Sequence, residues 1–240
     1  MTTLFISDLH LDPSRPAVTR AFLDLLSGEA ISADALYILG DFFEVWIGDD
    51  DDTELNQTVI EALKVLTTKG TPVYIMHGNR DFLIGEQFCQ QSGCQLIADP
   101  TVINLYGRNV LLLHGDSLCT DDTDYMAFRQ QCRSQAWQNE FLSQGIEQRR
   151  QLAKQMRAES KTANSNKADD IMDVNQHEVL RMFTQHDVDL MIHGHTHRPA
   201  IHQHKDSHAK RVVLGDWHNS GWVVRFPTSG EFTLEEFSIS

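Results

Sequence analysis

Six short apolar runs, each cut off by a small or polar residue, constrain this chain more than any other feature. They are TLFISDLH, ALYILGD, PVYIMHGN, VLLLHGD, DLMIHGHTH and VVLGDW. Apolar runs of about five residues bounded by Gly, Asp, Asn or His read as buried strands. Between several of them the hydrophobic period becomes helical. From Pro16 to Ala30, Phe22, Leu23, Leu25 and Leu26 share roughly one face. From Thr53 to Lys69, Leu55, Val59, Leu63 and Leu66 do the same, and Gly70 follows as a helix stop. Strand, helix and strand in succession is the pattern of an α/β core.

The interval from Cys119 to about Phe183 has no strand-like run, and no proline lies between Pro100 and Pro199, so it reads as helical. It separates the fourth apolar run from the fifth. The expected organisation is therefore one domain over 1–240, with a core of about 1–119 and 174–240 and a helical lid inserted at about 120–173. Within the lid, Arg150, Lys154, Arg157 and Lys161 fall on one helix face, with Arg149 and Lys167 nearby. That face is either solvated or binds an anion. Strands are expected again around Val212 and Phe232.

A formal net charge of −14 excludes a general nucleic-acid binder, because phosphate backbones are held by clustered Lys and Arg. Cys89, Cys94, Cys119 and Cys132 have no CxxC spacing and read as reduced, buried thiols of a cytosolic protein. The N-terminal MTTLFISDLHLDP has neither the basic start nor the apolar length of an export signal. No run approaches the ~20 apolar residues that span a bilayer, so membrane contact would be peripheral.

Chemistry-bearing side chains sit just past the apolar runs: Asp8 and His10, then Asp41, Asn79, His114, and finally His195 and His197. Ligands of α/β sheets bind outside the carboxyl ends of strands, so these residues are expected to converge on one crevice. A single Asp or His in such a place is usually a cap or a packed side chain. Asp-x-His, Gly-Asn, His-Gly-Asp and Gly-His-x-His in order are a different matter. Carboxylate, imidazole and amide donors without thiolate suit two divalent cations sharing a carboxylate, with Mn(II) first and Fe or Mg as alternatives.

This ordered set resembles that of the calcineurin-like metallophosphoesterases, over the core from Thr2 to about Arg225. The resemblance implies an α/β (α+β) four-layer fold, a two-sheet β-sandwich flanked by helices. It implies that Asp8, His10, Asp41 and His197 hold one metal and that Asp41, Asn79, His114 and His195 hold the other, with Asp41 bridging. His195 would also touch the phosphoryl oxygens. Two such cations about 3.5–4 Å apart activate water and neutralise phosphoryl charge during in-line attack.

One position departs from the pattern. Where many members of that family carry a histidine that protonates the departing alkoxide, this chain has Arg80, and a guanidinium cannot give up its proton. A leaving group that departs as an anion needs none. A phosphate monoester, with a second pKa of about 6, is such a group, and Arg80 could bind its oxygens by its fork. The expected substrate is a pyrophosphate cleaved between its two phosphorus atoms.

DFFEVWIGDDD, HGNRDFLIG, HGDSLCTDD and RAESKTANSNKADDIMDVNQ resemble more closely the pyrophosphohydrolase family that cleaves UDP-2,3-diacylglucosamine in lipid A synthesis. This resemblance covers essentially the whole chain. It implies UMP and 2,3-diacylglucosamine 1-phosphate as products, attack on the UMP-side phosphorus, and a peripheral place on the cytoplasmic face of the bacterial inner membrane. The matching substrate contacts are Asn79, Arg80, Asp122, Ser160, Asn164, Lys167 and His195. An acyl chamber would be lined by Trp46, Phe82, Tyr125, Phe128, Phe141, Met156 and Arg157, with Trp137, Leu142 and Leu152 as further candidates, unless these only pack the lid. Arg149, Arg150 and Lys154 would face anionic lipid. No nucleic acid and no protein partner is expected.

Two other readings stay open: another metallophosphoesterase, such as a dinucleoside polyphosphate hydrolase or a protein phosphatase, and a catalytically silent scaffold. His202, His204 and His208 read as an exposed hairpin, and Asp49 to Asp52 as the flank of a helix, lacking the glycine and glutamate of a calcium loop.

Overall fold

The structure, a computed structural model, describes residues 1–165, 173–204 and 208–240. The chain alternates strand and helix from its start: β1 (Thr2–Ile6), α1 (Pro16–Ser27), β2 (Ala35–Leu39), α2 (Glu54–Thr68), β3 (Val73–Met76), α3 (Glu86–Ser92) and β4 (Gln95–Ile97). A hairpin of β5 (Thr101–Leu105) and β6 (Arg108–Leu112) follows. Three helices come next, α4 (Thr123–Cys132), α5 (Gln135–Leu142) and α6 (Ile146–Ser165), and then α7 (Gln176–His186). The chain closes with β7 (Leu190–His193), β8 (Ala200–Gln203), β9 (Lys210–Val213), β10 (Ser220–Pro227) and β11 (Thr233–Ser238).

Among the described residues the strands form a sheet of six, ordered β11-β10-β1-β2-β3-β4, and a sheet of five, ordered β5-β6-β7-β9-β8. β1 to β4 are parallel, and so are β6, β7 and β9. The two sheets pack face to face through Phe5, Leu39, Met76, Leu112, Ile192 and Val224. Helices α1 to α3 cover the outer face of the first sheet through Phe22, Leu63 and Phe88, and α7 covers the second through Val179, Met182 and Phe183. This is the expected four-layer fold. Register in the first sheet is reinforced by an aromatic ladder, since Phe5, Tyr37 and Tyr74 are direct cross-strand neighbours with stacked rings 5.0 and 4.6 Å apart.

The α2 signals act as read: Thr53 accepts from Asn56 N at 3.2 Å, and Gly70 follows the last turn at φ +104°. Asp49 flanks the helices differently from expectation, accepting from Gly85 N and Phe88 N and so capping α3 rather than α2. All six apolar runs are strands. Phe232, however, lies just before β11 rather than within a strand.

Candidate metal centre and the cavity beside it

Because β1, β2 and β3 run parallel, their carboxyl ends deliver Asp8, Asp41 and Asn79 to one edge of the sandwich. β6 and β7 deliver His114, His195 and His197 to the same place. Backbone bonds join the loops: Asp8 N donates to Gly40 O, His10 N to Asp41 O and Gly194 N to His114 O, all at 2.8–3.0 Å. Two glycines are obligatory there. A Cβ on Gly78 would stand 2.1 Å from Asp41 N, and one on Gly194 would stand 2.0 Å from Asp8 Oδ2.

The ligand loops are also strained. Among the described residues seven non-glycine positions have positive φ, and five of them are Asp8, His10, Asp41, His195 and His197. Left-handed backbone is costly for such residues and persists where surrounding structure imposes it, as at binding sites. Here it turns consecutive side chains inward.

The donor atoms fall into two groups among the described residues, Asp8 with His10 and His197, and Asp41 with His114 and His195. In the first, His10 Nε2 faces His197 Nε2 at 3.3 Å, and His197 Nε2 is 3.3 Å from Asp8 Oδ1. Asp41 lies between the groups, its carboxylate 3.8 Å from His10 Nε2 and 3.6 Å from His114 Nε2. Asn79 meets His114 Nε2 at 3.0 Å and His195 Nδ1 at 2.9 Å. His114 Nδ1 lies 2.9 Å from Leu39 O, which accepts its proton and aims Nε2 at the centre, the atom that a cation would take in place of a proton. With the Asn79 amide nitrogen turned inward it donates to both imidazoles and to Asp41 Oδ2. With its oxygen inward, lone pairs crowd one point, an arrangement that a cation stabilises.

Electrostatics agree with that fit. Burial alone would push Asp8 up, but the hydrogen bond and charge of His197 hold its carboxyl below the usual range. Burial would push His114 down, yet Asp41, Asp116 and Asp8 raise it to about 9. Burial and the neighbouring His114 charge push His195 down to about 4. A buried centre with this surplus of carboxylate calls for positive charge. The residues present therefore fit two divalent cations.

Supporting residues surround the centre, and of these Asp116 and Glu44 went unread in the sequence. Fully buried Asp81 accepts from Phe42 N and Gly78 N at 2.7 Å each, tying the loops after β2 and β3 together. Fully buried Asp116, two residues past His114, accepts from Tyr125 Oη at 2.6 Å and Arg129 Nε at 2.8 Å. Tyr125 also stacks on His195, with centroids 6.1 Å apart. Glu44 gathers Arg80, Arg157 and His10. The only signal was composition, acids in the motif loops and Arg or Tyr on the helix that crosses them.

A cavity of about 280 Å³ opens beside the centre. Asn79 and Arg80 stand in its wall, and Trp46, Phe82, Tyr125, Phe128, Phe141, Met156 and Arg157 all line it, together with Trp137 and Ser160. Leu142 and Leu152 do not; Leu142 is exposed and Leu152 packs on the core under α1 to α3. Asp122 is away from the cavity lining and caps α4 by accepting from Tyr125 N at 3.1 Å. Of Asn164 only the backbone, in the last turn of α6, is described, and Lys167 lies outside the described residues.

The basic face of α6 needs correction. Arg149 is buried, donating to Ile47 O and Asp50 Oδ1 at 2.7 Å, and Arg150 pairs with Asp51 at 2.6 Å. Buried Arg149 is therefore not free for lipid, whereas Arg150 keeps an exposed side chain beside its partner. Of the three hairpin histidines, His202 and His208 are exposed, while His204 is half-buried with its ring 5.4 Å from Phe183.

The profile of the family described as "Calcineurin-like phosphoesterase" matches residues 1–199. The chain belongs to that family. As a calcineurin-like phosphoesterase it is a metal-dependent hydrolase. It is 56% identical over 232 residues to a protein of Cellvibrio japonicus named UDP-2,3-diacylglucosamine hydrolase, covering 96% of this chain and 97% of that one. It is 52% identical to a protein of the same name from Enterobacter sp., with the same coverage. Its fold resembles a solved archaeal phosphodiesterase with a TM-score of 0.52 and 14% identity, over 99% of this chain and 100% of that one.

Proposed function

We propose that this phosphoesterase hydrolyses the pyrophosphate bond of UDP-2,3-diacylglucosamine, a step of lipid A synthesis, to UMP and 2,3-diacylglucosamine 1-phosphate, with Mn(II) as its metal. The observation that carries this reading is the cavity between the metal centre and the lid helices, with Asn79 and Arg80 in its wall and an otherwise largely apolar lining. A substrate with an acylated half fits there, and a dinucleoside polyphosphate has no such half to place. The relatives' names point to the same compound.

When bound, the two cations supply an activated water and neutralise charge on the phosphoryl oxygens. Asp8, His10, Asp41 and His197 would hold one, and Asp41, Asn79, His114 and His195 the other. The chain's own residues do the rest. Arg80 presents its guanidinium to the phosphate that leaves as an anion, and His195, stacked under Tyr125, faces the phosphoryl oxygens. Met156, Phe82, Phe128 and Trp46 receive acyl chain and exclude water, while Ser160, also in the cavity wall, faces the head group. On the other side of Arg80 a cleft of about 460 Å³ lined by Asp12, Ser14, Arg15 and His218 suits the nucleotide half.

No helix among the described residues is long and apolar enough to cross a membrane. Exposed Val45 and Phe128 on the cavity lining, with Lys154 nearby on α6, are proposed to meet the cytoplasmic face of the inner membrane. Hydrolysis in oxygen-18 water tests the point of attack: the label is expected in UMP. Label in the lipid phosphate would overturn it.

A further inference from the structure

We propose that Glu44 is a positioning residue that fastens three parts of the site, the first metal loop, the phosphate-facing arginine and the lid helix α6, to one carboxylate. Its Oε1 accepts from Arg80 Nη1 at 2.9 Å and from Arg157 Nη2 and Nε at 2.8 and 3.2 Å. Its Oε2 lies 3.1 Å from His10 Nδ1. The three partners come from the loop after β1, the loop after β3 and α6.

Each partner turns another atom toward the chemistry. His10 Nε2 faces His197 Nε2, Arg80 Nε is 3.7 Å from Asp41 Oδ2, and Arg157 lines the apolar cavity. Glu44 thus holds the rear of groups whose fronts meet the metals and the cavity, and it belongs to neither donor group itself. Its own place is set by backbone: Glu44 N donates to Leu11 O at 3.1 Å, next to a bridge pairing Leu11 with Phe43. The carboxylate is therefore delivered by the same pairing that positions His10.

The His10 contact carries the consequence for metal. His10 Nδ1 is buried and makes no regular hydrogen bond, the approach to Glu44 Oε2 being short but bent. A small turn of the ring would straighten it. An acceptor behind a ligating imidazole fixes its tautomer and orientation and raises its basicity, and losing such a partner typically weakens metal affinity about 10–100-fold. On the arginine side, one oxygen shared by two guanidinium groups fixes their separation and orients Arg80, whose Nε stays 3.7 Å from Asp41 Oδ2. Helix α6 and the metal loop are coupled through the two oxygens of that one carboxylate.

The inference rests on the proposed ligand set and not on the identity of the substrate. The full chain, stripped of metal, is titrated with Mn(II) while free ion is followed by electron paramagnetic resonance, for wild type, Glu44→Ala, Glu44→Gln and Arg157→Ala. Wild type is expected to take two ions. Glu44→Ala should weaken one site about 10–100-fold and leave the other unchanged, with Glu44→Gln, which keeps shape and one acceptor oxygen, between them. Arg157→Ala should bind both ions normally, because it leaves the His10 contact of Glu44 in place. Unchanged affinity at both sites in Glu44→Ala, whose fold is checked by its melting, overturns the role of Glu44. A wild type that takes fewer than two ions overturns the ligand set instead.

Discussion

A guanidinium cannot deliver a proton at neutral pH, so Arg80 limits the leaving groups this site can expel. Its backbone N–H donates to Asp41 Oδ1 at 2.9 Å and its side chain to Glu44, so it is built into the centre rather than hanging over it. Arg80→Ala is expected to lower kcat/KM about 10–100-fold while Mn content is unchanged, as measured by steady-state kinetics beside metal analysis. Arg80→His should gain no rate on a pyrophosphate; a gain would contradict the assignment. Asp41→Ala, which removes the carboxylate between both donor groups, should abolish retention of both metals and cost at least about a thousandfold in turnover. The donor residues that the structure brings together were readable because each follows a strand end. Their left-handed backbone was not, since φ at Asp8 or His195 is imposed by loops from distant segments. The thiols offer a simpler check. Burial pushes Cys94 and Cys119 up to about 12 and Cys132 up to about 11, so below that pH they are uncharged and unreactive in the native fold. At pH 8 an aromatic disulfide reagent should label at most Cys89 until the chain is unfolded, when four thiols react.

Helices α4 to α6 are fastened by charge as well as by apolar packing. α4 reaches the centre through Tyr125 and Arg129 on Asp116, whose carboxyl burial would raise but which His114, Arg129 and Arg133 hold well below the usual range. Asp116→Ala leaves those arginines, each about one-fifth exposed, without their buried carboxylate, Arg129 keeping Asp99 and Arg133 keeping Gly78 O. A loss of about 3 kcal/mol in urea unfolding is expected, the lower end for a broken buried pair because water reaches the survivors. α6 is fastened through Arg149 to Asp50 and Ile47 O. Arg149→Ala should therefore leave binding to anionic vesicles unchanged, whereas Lys154→Ala should weaken it about fivefold, near 1 kcal/mol for one surface charge. The sequence announced a basic helix face but not its partners, because Asp50 and Asp51 precede it by a hundred or so residues and only tertiary packing brings them together.

Four layers follow from the two alternations in the chain, strands buried on both faces and helices with one apolar stripe. The six runs with continuous apolar character were readable as strands, since nothing else buries such runs so economically. β4, β5, β8, β10 and β11 were less so: β11, TLEEFS, and β8, AIHQ, are partly exposed edge strands whose mixed polarity imitates loop. Likewise the cavity wall was visible only as aromatic residues that could equally pack a core. Its position beside Asn79 and Arg80 is what turns it toward a lipid-bearing pyrophosphate. The most direct measurement is UMP release by the purified, Mn-loaded protein from UDP-2,3-diacylglucosamine and from the same compound without acyl chains. Turnover of the acylated compound at least about a hundredfold faster, the worth of the buried chain contacts, is the expected result. Equal turnover of the two, or none of either, would contradict the account.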